Sequence, residues 1–273
     1  MAEESIEQRV MNAVDAWLGS LPGHVYANVR QPPVSTLNIA HMIPLSAVWA
    51  GPARDVHLGA PPLFFARTEG STPFRFSLHV GDVGHTLVVG PTGAGKSVLL
   101  ALMALQFRRY PTSQVFAFDF CGSIRAAALA MKGDWHDLGG ALSDSAPEPV
   151  TLQPLAMIDD GAERGWAAEW IAAMLTREKI DMTPEAKEHL WSALSSLASA
   201  PAGERTLTGL SVLLQSQSLK RALQPYCLGG PFGRLLDAEA ERLGAAPVQV
   251  FETEGLIGTG AAPAILSYLF HRI

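Results

Sequence analysis

The sequence predicts an α/β fold, a mainly parallel sheet interrupted by a helical insertion. Three observations carry this reading. A short apolar run with β-branched residues, His85 to Val89, leads into a glycine-rich loop and then into Val98–Leu105, a stretch of good helix formers. A second apolar run, Gln114 to Asp119, follows that helix at the spacing of a βαβ unit, whose crossover is right-handed. Residues 159–224 then carry helical periodicity before a strand pattern returns at Val248–Glu252.

The loop reads Gly90-Pro91-Thr92-Gly93-Ala94-Gly95-Lys96-Ser97 and fits the P-loop pattern G-x-x-x-x-G-K-[ST]. At average residue frequencies this pattern arises by chance in roughly one chain in a hundred of this length, and the strand and helix flanks lower that further. Successive backbone N–H groups in such a loop curl into a nest for phosphate oxygens, and the following helix N-terminus adds partial positive charge. Lys96 is expected to reach the β- and γ-phosphates of ATP, and the Ser97 hydroxyl to ligate Mg²⁺.

Taken in order, residues 4–18 place Ile6, Val10, Met11, Val14, Trp17 and Leu18 on one helical stripe. The stripe suits packing on its own domain or a partner-docking face. Residues 22–62 are proline-rich with apolar residues interspersed, an irregular packed connector. His24, His41 and His57 lie there without metal-ligand spacing. Pro73–Val80 alternates and reads as a strand, turned by Gly81–Gly84 into the P-loop strand as a hairpin. The P-loop helix ends at Arg108-Arg109-Tyr110-Pro111, where arginines suit the negative helix end.

Asp119 ends the second strand, on the ligand side of an open α/β sheet. It either helps hold Mg²⁺ indirectly or caps the next helix, Ser123–Lys132. Residues 135–149 read as turn-rich and polar, Val150–Leu152 as strand-like, and 248–252 as a strand. Asp159-Asp160 and Thr183-Pro184 open two helices of the insertion, and Ala262–Ile273 is a helix. The expected divisions are therefore 1–72, an N-terminal helix and connector; 73–158, the P-loop core; 159–247, the helical insertion; and 248–273, a return to the core.

Bulk properties narrow the function classes. The 273 residues are 48% hydrophobic and 17% charged, which permits a sizeable core. The net charge of −6 argues against a broad nucleic-acid footprint, so direct nucleic-acid binding is not indicated. Cys121 and Cys227 form neither a disulfide framework nor a metal spacing and read as free thiols. No apolar run approaches the ~20 residues needed to span a bilayer, and the acidic N-terminus lacks a signal-peptide core. A cytoplasmic location is expected, with any membrane association made through partners.

A P-loop ATPase also needs an apolar strand ending in an acid that holds Mg²⁺ through water. Val115–Asp119 is the adjacent strand, and Val248–Glu252 has an interrupted apolar run. Neither fits well, and the expected strand falls beyond Ile273.

The stretches Trp17-Leu18-Gly19-Ser20-Leu21-Pro22-Gly23, Ser35-Thr36-Leu37-Asn38 and Gly81-Asp82-Val83-Gly84-His85-Thr86 resemble the TrbE-type conjugal transfer ATPases, of the VirB/TrbE/CagE class of type IV secretion ATPases. Gly90–Ser97, Phe116-Ala117-Phe118-Asp119, Leu152-Gln153-Pro154-Leu155 and Phe251-Glu252 add to the match. The resemblance implies a RecA-like motor core with a helical insertion, incomplete at the C-terminus. It implies ATP and Mg²⁺ as cofactors, secretion-system subunits as partners, a homo-oligomer in the intact protein, and a position at the inner membrane. In the intact family member ATP hydrolysis energises pilus assembly and substrate transfer. Carried over by position, Gly90 to Ser97 hold nucleotide, with Lys96 catalytic, and Asp119 matches the acidic strand end. The family continues that strand with Asp-Lys-Gly, whereas this chain has Asp119-Phe120-Cys121-Gly122. Read this way, the chain is a central fragment. It is expected to bind ATP–Mg²⁺ weakly and hydrolyse little, the alternatives being a non-catalytic docking module or a DNA-translocating coupling-type motor. Arg177, Arg205, Arg234 and Arg242 are the candidates for an arginine finger.

Overall fold

The structure is a computed structural model that describes residues 17–18, 21–22, 35–43, 49–70, 72–142 and 150–273. The N-terminal amphipathic stripe lies outside the described residues, apart from Trp17 and Leu18. The chain divides into two units, residues 1–51 with 66–74, and residues 52–65 with 75–273.

In the first unit, helix α1 (Thr36–Met42) is capped by Ser35, whose side chain accepts from Asn38 N–H at 3.2 Å. Trp49 packs on Phe74 with ring centroids 5.8 Å apart. Strands β1 (Phe64–Ala66) and β2 (Phe74–Phe76) form a two-stranded sheet.

The second unit holds the parallel sheet. Its strands are β3 (Val115–Asp119), β4 (Asp134–Asp137) and β5 (Val248–Glu252), in the order β3-β5-β4. Val115 to Asp119 pair with Val248 to Glu252, and Asp134 to Asp137 pair with Gln249 to Glu252. Alternation along the strands divides their side chains between two faces. Val115, Ala117, Val248 and Val250 meet Ala101 and Ala104 of helix α2 (Lys96–Phe107) and Ala127 and Ala128 of helix α3 (Arg125–Ala130). Phe116, Phe118 and Phe251 face the larger core.

That larger core belongs to the helical region. Helix α4 (Gly161–Arg177) contributes Trp170, Ile171, Met174 and Leu175; α5 (Pro184–Leu197) contributes Leu190, Leu194 and Leu197. Helices α6 (Leu207–Leu213), α7 (Gln217–Leu223) and α8 (Gly233–Leu236) close it on one side, and α9 (Ala262–Arg272) packs Ile265, Tyr268 and Leu269 into it. Each fully buried Leu or Ile here contributes about 1.5–3 kcal/mol over an exposed one. The Trp170 indole donates to Ala264 O at 2.9 Å, which ties α4 to α9 without leaving a buried donor unpaired. Asp160, Thr183 and Thr206 cap α4, α5 and α6, each accepting from backbone N–H in the first turn, and Pro184 sits at the first turn of α5.

Several sequence expectations change here. Residues 85–89 are extended but pair with no strand among the described residues, and Leu87 and Val89 are 87% and 81% exposed. The reason lies in the sheet: β3 hydrogen-bonds to β5, and α2 covers β3 with small alanines, so apolar character alone does not bring 85–89 into the ladder. The hairpin expected for 73–89 is reduced to β2 and an isolated bridge between Val80 and Val83. Residues 134–137, read as the edge of a polar turn-rich segment, form a strand because Trp135 and His136 pack on opposite faces, against α3 and Phe251 respectively. Val150–Leu152 is irregular, and Leu152 N–H donates to Leu235 O at 2.7 Å.

Candidate functional site

Residues 90–97 build a loop ahead of α2. Gly93 and Gly95 both have φ +82°, a conformation that side chains rarely adopt, and a Cβ placed at either would meet nothing within 4 Å. The glycines are therefore required by backbone conformation rather than by crowding. The N–H groups of Gly93, Gly95, Lys96 and Ser97 have no acceptor among the described residues, while Ala94 N–H donates to Pro91 O at 3.3 Å. These free donors lie at the positive end of a 12-residue helix, the arrangement that binds anions.

Lys96 Nζ is turned back into the loop and donates to Gly90 O and Pro91 O, each at 2.8 Å. Its ammonium is thus held within the curl formed by the loop backbone. The Ser97 side chain is exposed and has no hydrogen-bond partner among the described residues, so its hydroxyl is available to a ligand. Gly90, Pro91, Thr92, Gly93, Ala94, Gly95, Lys96 and Ser97 are therefore contiguous, accessible and locally preorganised. The donor set, amides plus an ammonium and a free hydroxyl, fits a polyphosphate with a hard cation.

A second group of residues gathers at the C-terminal ends of the parallel strands. Asp119 Oδ1 accepts from Ser123 Oγ at 2.5 Å and Oδ2 from Ile124 N–H at 2.8 Å, the capping arrangement of the two sequence readings. Glu252, 5% exposed, ends the central strand; it accepts from Glu254 N–H at 2.8 Å and from Gly122 N–H. Thr253 donates to Asp119 O through its N–H at 3.0 Å and its hydroxyl at 2.6 Å, which ties β3 to β5. A cavity of about 440 Å³ opens here, lined by Cys121, Arg125, Trp135, Asp137, Glu252 and Glu254. The Arg125 guanidinium lies 4.3 Å from the Trp135 ring centroid. In the sequence, Glu252 is set aside because Gln249 interrupts the apolar run. The signal that places it is the position of β5 at the centre of the sheet.

Of the arginine-finger candidates, Arg205 is committed to structure: it binds Asp159 Oδ1 at 2.5 Å, Ala156 O at 2.8 Å and Ala200 O at 3.0 Å. Arg177 and Arg242 are exposed and Arg234 half-buried. Cys121 is exposed and Cys227 buried, and both are free, as expected. His57 stacks on His79 with centroids 4.7 Å apart, and among the described residues no group of His, Cys, Asp and Glu could hold a metal ion. No helix among the described residues is long and apolar enough to cross a membrane.

No family model matches the chain. A probable conjugal transfer protein TrbE of Sinorhizobium fredii (strain NBRC 101917 / NGR234) is 42% identical over 268 residues, covering 96% of this chain and 40% of that protein. The conjugal transfer protein TrbE of Rhizobium radiobacter is 41% identical over 270 residues, covering 96% and 33%. The type IV secretion system protein virB4 of Bartonella quintana (strain Toulouse) is 24% identical over 264 residues, covering 94% and 33%. The solved structure of VirB4 of Thermoanaerobacter pseudethanolicus shares the fold at TM-score 0.50 and 15% identity, over 66% of this chain and 54% of that one. The chain spans 33–40% of the length of these curated relatives. Over almost its whole length it is homologous to the TrbE-type conjugal transfer proteins, and more distantly to the VirB4 proteins of type IV secretion systems.

Proposed function

From this relationship to the TrbE-type proteins, we propose that the chain is the nucleotide-binding region of a conjugative type IV secretion motor, and that residues 90–97 hold ATP with Mg²⁺. The observation that carries the reading is the glycine-shaped loop whose N–H groups of Gly93, Gly95, Lys96 and Ser97 stand free at the start of α2. On binding, Lys96 exchanges the Gly90 and Pro91 carbonyls for β- and γ-phosphate oxygens, a stronger charge-assisted pairing. Ser97 offers its hydroxyl to the cation, which when bound neutralises charge on the phosphates. The larger protein is taken to be a RecA-like motor that assembles with itself and with other secretion subunits at the inner membrane, driving pilus assembly and substrate transfer.

Hydrolysis by this chain alone is expected to be slow. The carboxylates nearest in kind to a water-orienting acid, Asp119 and Glu252, are both engaged by backbone donors. Their engagement favours a second reading, a non-catalytic module that binds nucleotide and docks on secretion partners. Steady-state ATPase assays on the chain and on Lys96→Ala separate the two. Turnover that disappears in the variant supports a complete hydrolytic site, and binding without turnover supports the module.

A further inference from the structure

Away from the P-loop and the sheet, the ends of α5 and α6 and the segment before β5 enclose a groove of about 530 Å³. Its apolar lining is Leu197, Val212, Leu213 and Leu228, of which Val212 and Leu228 are 72% and 71% exposed. The exposed carboxylates of Glu204 and Glu239 stand among the lining residues and make no ion pair among the described residues, and no lining side chain is basic. Asp237, also in the lining, is buried and already satisfied: it accepts from Thr208 N–H at 3.0 Å and Leu228 N–H at 2.6 Å, and from the Thr208 hydroxyl. That carboxylate fixes the wall by tying the start of α6 to the 228 turn.

We propose that this groove docks an amphipathic helix of a protein partner, with leucine-type side chains on one face and lysine or arginine flanking them. Two exposed aliphatic side chains in a concave site favour an apolar insert, and two unpaired carboxylates on its border favour basic neighbours. The elements forming the groove are helices and turns, so no open strand edge is offered for backbone pairing, and side chains of a helix are the occupant that the lining fits. The same carboxylates repel nucleic acid and anionic lipid surfaces.

The test uses the full chain and a fluorescent peptide of about fourteen residues, leucine at helical spacing and lysine elsewhere. A peptide of the same composition with leucine and lysine strictly alternating serves as comparator, and anisotropy is read at roughly physiological salt. The helix-patterned peptide is expected to bind saturably and at least about tenfold more tightly than the alternating one. Val212→Asp with Leu228→Asp, and separately Glu204→Lys with Glu239→Lys, should each weaken it about tenfold, with the urea midpoint unchanged. Equal binding by both peptides, no binding, or unchanged affinity in either double variant overturns the proposal. So does sedimentation showing a dimer of the chain that Val212→Asp with Leu228→Asp dissolves, since the occupant is then a second copy.

Discussion

The helical region and the P-loop region of the same unit are built on different physics. In the first, Leu194, Leu155, Ile171 and Leu175 are wholly buried, and capped helices pack around them. In the second, Leu87, Val89 and Val98 are 87%, 81% and 73% exposed, and Met103 is the buried residue of α2. The phosphate loop nevertheless keeps its shape, because two positive-φ glycines and the start of a helix specify it over a few residues. The difference teaches that a binding loop can be set by local backbone while the stability of the unit comes from elsewhere.

The comparison breaks most readily at the core. Leu194→Ala should cost about 2–5 kcal/mol in urea unfolding, since it leaves a cavity in a close-packed site. Alkaline titration comes next. Burial and a hydrogen bond to Glu178 push the Tyr226 hydroxyl up to about 12, and burial pushes the Cys227 thiol up to about 11. Both groups bind their protons more tightly when folded. Their contribution is complete below the unfolded values, about 9 for the thiol and 10 for the phenol, and is lost as pH rises through the folded ones. Stability measured by circular dichroism should fall between about pH 9 and pH 12, less steeply in Tyr226→Phe. Thr183→Ala, which removes the cap on Ala186 N–H, should cost about 1 kcal/mol. Val98→Ser and Leu87→Ser should change stability by no more than about 0.5 kcal/mol. If these two matched Leu194→Ala, the contrast between the regions would be wrong.

Much of this is legible in the sequence. The P-loop, the caps at Asp160 and Thr183, the strands at 115–119 and 248–252 and the final helix follow from residue type and spacing, because each depends on neighbours close in the chain. The misses depend on distant neighbours. Residues 85–89 have the composition of a strand, yet a strand needs a partner. Residues 134–137 look polar, yet β5 recruits them as an edge. Glu252 looks peripheral in the sequence, yet β5 is the central strand of its sheet. The groove beside Val212 and Leu228 has no linear signal, since its walls come from segments far apart in the chain.

The most direct test of the central claim is equilibrium binding of a fluorescent ATP analogue with Mg²⁺ to the chain and to Lys96→Ala, with urea midpoints recorded in parallel. Saturable binding to the chain, weakened about tenfold or more in the variant at an unchanged midpoint, is the predicted result. Equal binding by the two proteins, or none by either, would contradict the assignment of residues 90–97 as the phosphate site.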